Sequence, residues 1–346
     1  MLTVDVGGTM NKSFALRQAA LKIAGQGVGG FDLSLQSNWR EKLEPLIGEF
    51  IRSALSPMLV GHKGSEELQV AIQNLQPGAK PFVAEPAADW SENPRVADEL
   101  LRSSNITDYQ DFLRLQKEIK RLSSENPFVK SENHDRLYVC FTLNGVEPNE
   151  TKKLLSECYR VLNRNGTLMM LVLLADEPHD RLEIAPVRSY PIIQALTESA
   201  ISERLEQEGF HGITYHQLSD LPLHITDGVE LKPFLINAYK GKSGPCFEQG
   251  HAVLYRGPWL QVCDDDGHIY RRGVRTAVCA KTYNLLLKAP YQGEFIGVPC
   301  YNAPPLESAI LFDCNTPAIR DPAVTKGVKP LADQGSCCTS DDGSCC

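Results

Sequence analysis

The sequence predicts an α/β chain in three parts. Residues 1–240 should form an open parallel sheet, residues 241–325 a small α+β domain, and residues 326–346 a flexible cysteine-rich tail. Three observations lead there. Residues 135–174 read as buried strand, amphipathic helix, buried strand, which is a βαβ crossover unit. Residues 2–33 read as strand, glycine turn, helix, strand and acidic residue, the order of a nucleotide-type binding unit. Beyond Lys240 the chain changes to short strands punctuated by Gly, Pro and Asp, with four of its eleven cysteines crowded at the end.

Composition narrows the class. A hydrophobic content of 42% with 23% charged residues is that of a globular protein, and 346 residues allow two cores. A net charge of −8 with no basic block argues against nucleic acid as a partner. No run of eighteen apolar residues and no basic segment leading into an apolar one is present, so neither membrane span nor signal peptide is expected. The expected compartment is the cytoplasm, where the cysteines stay reduced.

Taken in order, Leu2-Thr3-Val4-Asp5-Val6 predicts a strand and Gly7-Gly8-Thr9 a tight turn. Helical spacing follows over Phe14 to Ala24, and a second strand over Gln26 to Phe31 ends at Asp32-Leu33. Glycine lets backbone approach a ligand, and an acidic residue one helix and one strand later accepts from ribose hydroxyls. Two other readings of this turn stay open. Asp-x-Gly-Gly-Thr also resembles the phosphate loop of sugar kinases, and a glycine turn serves equally well to pack helix on sheet.

Residues 36–134 form a divergent, mainly helical region. Apolar spacing predicts helices over Glu41 to Leu55, Glu66 to Leu75, Val96 to Leu101 and Asp108 to Leu122, and a short strand over Pro81 to Ala84. Strand Leu137 to Phe141 follows. A helix then starts near Asn149 and carries Leu154, Leu155, Cys158, Tyr159, Val161 and Leu162; Gly166 ends it before strand Thr167 to Leu174. Next, Gln194 to Glu198 cap a helix running to Gln207, and strands follow from Phe210 and Val229. In the small domain, strands are expected over Ala252 to Tyr255 and Gly273 to Cys279, with a helix from Tyr283 to Leu287. Asp264-Asp265-Asp266-Gly267-His268 reads as a solvated turn in preference to a cation loop, because no further oxygen ligands stand at regular steps. A Cys279 inside an apolar strand reads first as a buried thiol.

The central unit also has a narrower resemblance. Its helix reads Glu157-Cys-Tyr-Arg160-Val-Leu162-Asn-Arg-Asn-Gly166, similar to the E-x-x-R-V-L-K-P-G-G of class I S-adenosylmethionine-dependent methyltransferases. The Leu143-Asn144 strand ending, the A-L-T-E…L-E-x-x-G-F stretch near Ala195 and the Y-x-G…D-D-x-x-H…V-C-x-x-T order after Tyr255 resemble the arsenite methyltransferase branch. The resemblance spans roughly residues 1–35 and 135–325. It implies a Rossmann-like sheet and a cofactor site of Asp5, Gly7, Gly8, Thr9, Asp32, Leu33 and Asn144. It departs from the family in two places. Met10-Asn11-Lys12 stand where a further glycine belongs, so S-adenosylmethionine binding is expected to be weak or lost. Tyr190-Pro191 and Leu231-Lys232 stand where the branch keeps its arsenic-holding cysteines.

In the tail, Cys337-Cys338 and Cys345-Cys346 are two vicinal pairs in a Gly/Ser/Asp segment, a donor set suited to one soft ion; a reversible redox pair is the plainer reading. The implied activity is methyl transfer to trivalent arsenic held by thiolates. The alternative is a catalytically inactive homologue that binds thiophilic ions through its cysteines. Arsenic brings its own lone pair, so no general base is needed and no catalytic residue is assigned. The expected partner is a small molecule or metalloid.

Overall fold

The computed structural model describes residues 57–61, 82–84, 90–179, 192–241, 244–315 and 318–331. The chain divides into two compact units, Met1–Gly241 and Lys242–Cys346.

Unit 1 is an α/β domain on one open sheet. Its strands are β1 (Pro57–Gly61), β2 (Phe82–Ala84), β3 (His134–Cys140), β4 (Leu162–Ala175), β5 (Phe210–Gln217), β6 (His224–Thr226) and β7 (Val229–Lys240). The helices are α1 (Pro94–Ser103), α2 (Tyr109–Glu125), α3 (Thr151–Val161) and α4 (Glu198–Gln207). Strand order is β2-β1-β3-β4-β7-β5, with β6 paired to β7. The first four strands are parallel, and β7 runs antiparallel to both β4 and β5. The sheet is therefore mixed where an all-parallel one was expected. The reason lies in the link from β5 to β7, which holds only β6 and turns; a parallel return needs a crossover of a dozen or more residues, usually a helix.

The core follows from strand and helix periodicity. Leu168, Met170, Val172 and Leu174 alternate along β4 and join one cluster with Leu154, Leu155, Cys158 and Val161 of α3 and Ile201 and Leu205 of α4. Met169, Leu171 and Leu173 on the other face of β4 are buried as well, so this strand is covered on both sides.

Local details refine the expected boundaries. The helix expected from Asn149 begins with a 3₁₀ turn, Pro148–Glu150, closed by a Glu147/Glu150 capping box. The Asn163–Gly166 segment is an irregularity within β4, with Asn165 at φ 61° where register slips against His134–Arg136. Asp108 caps α2 by accepting from Asp111 N–H, and Thr197 caps α4 by accepting from Ala200 N–H.

Unit 2 contains a three-stranded antiparallel sheet, β11-β8-β12, formed by β8 (Ala252–Tyr255), β11 (Arg275–Ala277) and β12 (Phe295–Val298). A hairpin pairs β9 (Gln261–Cys263) with β10 (Ile269–Arg271), and α5 (Ala280–Leu286) follows β11. The strand expected to run to Cys279 stops at Ala277, because Cys279 turns to cap α5. Beyond the boundary expected at 325, a packed turn continues, in which Lys326, Gly327, Val328 and Lys329 donate backbone bonds to residues 322–324. Among the described residues, no helix is long and apolar enough to cross a membrane.

Candidate cofactor crevice and thiol site

Strand order alone locates a candidate ligand position in unit 1. From β1 the chain goes to β2 on one side, then returns to β3 on the other side of β1 and continues to β4. This reversal between β1 and β3 is a topological switch point, the place where open α/β sheets bind ligands at their carboxyl ends. The two strands end level, with Gly61 paired to Cys140. Phe141 then adopts the left-handed conformation at φ 51°, uncommon for a bulky residue, and turns the chain sharply away from the sheet.

The turn delivers Asn144 to a buried clasp. Its amide nitrogen donates to the carbonyls of Leu173 (2.9 Å) and Gln194 (3.0 Å), and its Oδ1 accepts from Leu173 N–H (2.9 Å). The Asn144 carbonyl accepts from Ile193 and Gln194 N–H. Gln194 answers by donating its side-chain amide to Leu143 O, Val146 O and Thr151 Oγ1 (2.7 Å). Asn144 is 1% exposed, and both its amide protons are used within the fold. It ties the end of β3, β4 and the segment before α4 together beside the switch point.

The motif residues Glu157 and Arg160 are architectural in the same way. Arg160 donates two bonds to the Glu157 carboxylate (2.6 and 2.7 Å) and one to Val129 O, while Glu157 accepts from Trp90 N–H (2.9 Å). This bidentate pair fixes α3 to the chain on either side of α2.

The other residues expected at the cofactor, Asp5, Gly7, Gly8, Thr9, Asp32 and Leu33, lie outside the described residues, as do Cys337, Cys338, Cys345 and Cys346. The two sheet positions next to β3 on that side are taken by Pro57–Gly61 and Phe82–Ala84. Sequence periodicity had identified only the second of these as a strand; Pro57–Gly61 is a run of five residues that follows directly on the helical apolar spacing expected over Glu41 to Leu55.

In unit 2, Cys246, Cys279 and Cys314 converge, with their sulfur atoms all within 4.8 Å of one another. Backbone hydrogen bonds lace the three segments together. Phe312 N–H donates to Cys246 O, Ala280 N–H to Phe247 O, and Glu248 N–H to Ile310 O, each at 2.9 Å. Cys279 is buried, while Cys246 and Cys314 are half-buried. As N-cap of α5, Cys279 Sγ accepts from Thr282 N–H (3.4 Å) and lies 3.2 Å from Thr282 Oγ1. Burial opposes its ionisation, but these contacts and the neighbouring Cys246 and Cys314 thiols outweigh it, so its pKa falls below the ordinary thiol value. Burial and the two neighbouring sulfurs push the Cys314 thiol upward. Cys314 was missed in the sequence because the three cysteines stand more than thirty residues apart and form no local motif.

The acidic turn also brings ligand atoms of Asp264, Asp266 and His268 within 4.8 Å of one another, but its central carboxylate is committed to the hairpin. Asp264 accepts from His268 Nδ1 (3.0 Å), Tyr270 O–H (2.8 Å) and the backbone N–H of Asp266 and His268, which uses the carboxylate within the hairpin.

Comparison with known proteins is informative mainly about unit 2. A family model described as "Domain of unknown function (DUF8838)" matches residues 242–330. No curated protein matches the chain. Among solved structures, an arsenic(III) S-adenosylmethionine methyltransferase from Chlamydomonas reinhardtii is similar at 14% identity and a TM-score of 0.33, over 75% of this chain and 80% of that one. A 1,6-didemethyltoxoflavin-N1-methyltransferase from Burkholderia thailandensis is similar at 14% identity and a TM-score of 0.39, over 69% and 94% of the two chains. A SAM-dependent methyltransferase from Archaeoglobus fulgidus follows at 13% identity and a TM-score of 0.35, over 58% and 94%. Likeness at these values carries no argument about the chemistry of this chain.

Proposed function

We propose that the chain is an S-adenosylmethionine-dependent methyltransferase-like protein whose methyl acceptor is trivalent arsenic held by thiolates. The observation that carries this reading is the switch point between β1 and β3, where the strand ends lie level beside a sharply turned Phe141; open α/β sheets bind ligands at such points. The wording of the β3–α3–β4 unit and the donor chemistry of the thiols support it.

Bound S-adenosylmethionine supplies an electrophilic methyl group. Gly61, the last residue of β1, presents no side chain to a ligand at the strand end. The first residue after β2 in the sequence is Glu85, an acidic group of the kind that accepts from ribose hydroxyls. Asp5, Gly7, Gly8, Thr9, Asp32 and Leu33 are the competing set from the N-terminal glycine turn. The Asn144–Gln194 clasp holds the crevice wall in place while its own amides stay committed to the backbone. Arsenic needs no general base, so the part left to the chain is to hold the ion and exclude water around it.

The two cofactor assignments are separable by calorimetry with S-adenosylmethionine on the full chain. Loss of a charged hydrogen bond to ribose costs about 1.5–3 kcal/mol, on the order of ten- to a hundredfold in affinity. Glu85→Ala is expected to show that loss and Asp32→Ala to bind as the parent. The reverse pattern moves the cofactor to the N-terminal turn. Absence of binding in the parent chain, with thiol-dependent arsenite binding retained, would leave the ion-binding homologue as the reading.

A further inference from the structure

We propose that Cys246, Cys279 and Cys314 form a three-thiolate site for a soft, three-coordinate ion of the trivalent arsenic class, separate from the tail cysteines. The inference rests on the proposed function only for the choice of arsenic as the ion; the site itself does not require methyl transfer.

Three independent features support a site over a chance cluster. The sulfurs converge from three separate segments, within 4.8 Å of one another, with donors but no disulfide among them. The segments are fixed by backbone hydrogen bonds at 2.9 Å, so the ligands are ordered before any ion arrives and little entropy is lost on binding. A cavity of about 20 Å³ lies against Cys279 and Cys314, lined also by Thr282, Phe312, Tyr270 and His268. That volume admits a guest of one or two heavy atoms.

Donor type and number then select the ion. Thiolates favour soft ions over Ca²⁺ or Mg²⁺, which take oxygen ligands. Structural zinc closes a tetrahedron of four, and among the described residues no fourth Cys, His, Asp or Glu joins these three. A pyramidal ion whose fourth position is a lone pair is complete with three. Arsenous acid loads by exchange without redox change: three As–O bonds break, three As–S bonds form, and each thiol proton leaves with a hydroxyl group as water. Cys279 Sγ is held in place by the Thr282 N–H, and the half-buried Cys246 and Cys314 offer the route of entry.

The test uses the full chain with Cys337, Cys338, Cys345 and Cys346 all replaced by Ser, fully reduced and titrated with arsenite. Thiols are counted with a disulfide reagent before and after. One arsenic per chain protecting three thiols is expected. Cys279→Ser and, as a second variant, Cys314→Ser should each weaken arsenite binding at least about tenfold. Cys263→Ser, an exposed cysteine outside the group, should change nothing. A parallel zinc titration should bind more weakly than arsenite. Protection of fewer than three thiols, or parental affinity in both Cys279→Ser and Cys314→Ser, overturns the site; tighter zinc than arsenite overturns the ion class. S-adenosylmethionine binding is read separately on the same samples. Its absence beside intact arsenite binding counts against the proposed function and leaves this site standing.

Discussion

In unit 1 the central strands β4 and β7 are long, 14 and 12 residues, and the interior is aliphatic, with β4 buried along ten successive residues from Gly166 to Ala175. In unit 2 the strands are three or four residues long, and the interior includes a charged pair, Arg320 with Glu248, both side chains under 10% exposed. Unit 1 is held by apolar area, with polar groups such as the Asn144 clasp adding register. Unit 2 has less regular structure to bury, and charged and polar contacts pin its loops together. The difference teaches where each unit is fragile: unit 1 at its packing and clasp, unit 2 at single electrostatic partners.

The largest expected effect is in unit 2. Arg320 Nη2 donates to both Glu248 oxygens (2.8 and 2.9 Å), its Nε donates to His251 O, and Glu248 also accepts from Gly250 N–H. Arg320→Ala leaves a carboxylate buried without its partner, at a cost of about 3–5 kcal/mol. Denaturant unfolding should show an early transition for unit 2, with unit 1 unchanged. A single shifted transition for the whole chain would contradict the separation drawn here.

A smaller effect is expected at the clasp of unit 1. Asn144→Ala leaves Leu173 N–H and the Leu173 and Gln194 carbonyls without a side-chain partner, at about 1–3 kcal/mol. Chemical denaturation of the variant measures it, and hydrogen exchange should speed up at Leu173 and Gln194 before the rest of the sheet. Unchanged stability would mean that water replaces the amide without cost.

The smallest effect depends on pH. Burial raises the Asp264 pKa, but hydrogen bonds from the His268 ring and backbone and from Tyr270 outweigh it and hold the group at about 2, below its ordinary 3.8. A depressed carboxylate stabilises the folded state above its unfolded pKa and loses that contribution as pH falls. Unit 2 should therefore lose stability between about pH 4 and pH 2, and Asp264→Asn should flatten that part of the profile. Melting curves across this range check the slope; an equal slope in the variant assigns it to other carboxylates.

The same contrast explains what was legible in the sequence. The βαβ unit at 134–175 was read correctly because apolar residues at periods of two and 3.6 report burial directly, as at Leu168, Met170, Leu154 and Cys158. The mixed end of the sheet was missed because strand direction depends on the connection, and the short β5–β7 link was the available clue. Asn144 was singled out for a cofactor, yet its bonds to Leu173 and Gln194 depend on a partner fifty residues away that no local pattern reveals. The thiol group was the least legible. Cys279 read first as a buried thiol and Cys314 was missed, since only the bridging of residues 246–248 with 310–312 brings the group together.

The central claim is tested most directly by methyl transfer itself. The purified, reduced chain is incubated with arsenite, a small thiol and S-adenosylmethionine labelled in its methyl group, and the arsenic species are separated and counted. The account predicts labelled methylarsenic that forms in proportion to protein and, in Glu85→Ala, needs at least about tenfold more S-adenosylmethionine for the same rate. Label that never reaches arsenic, from a chain that binds both cofactor and arsenite, would contradict it.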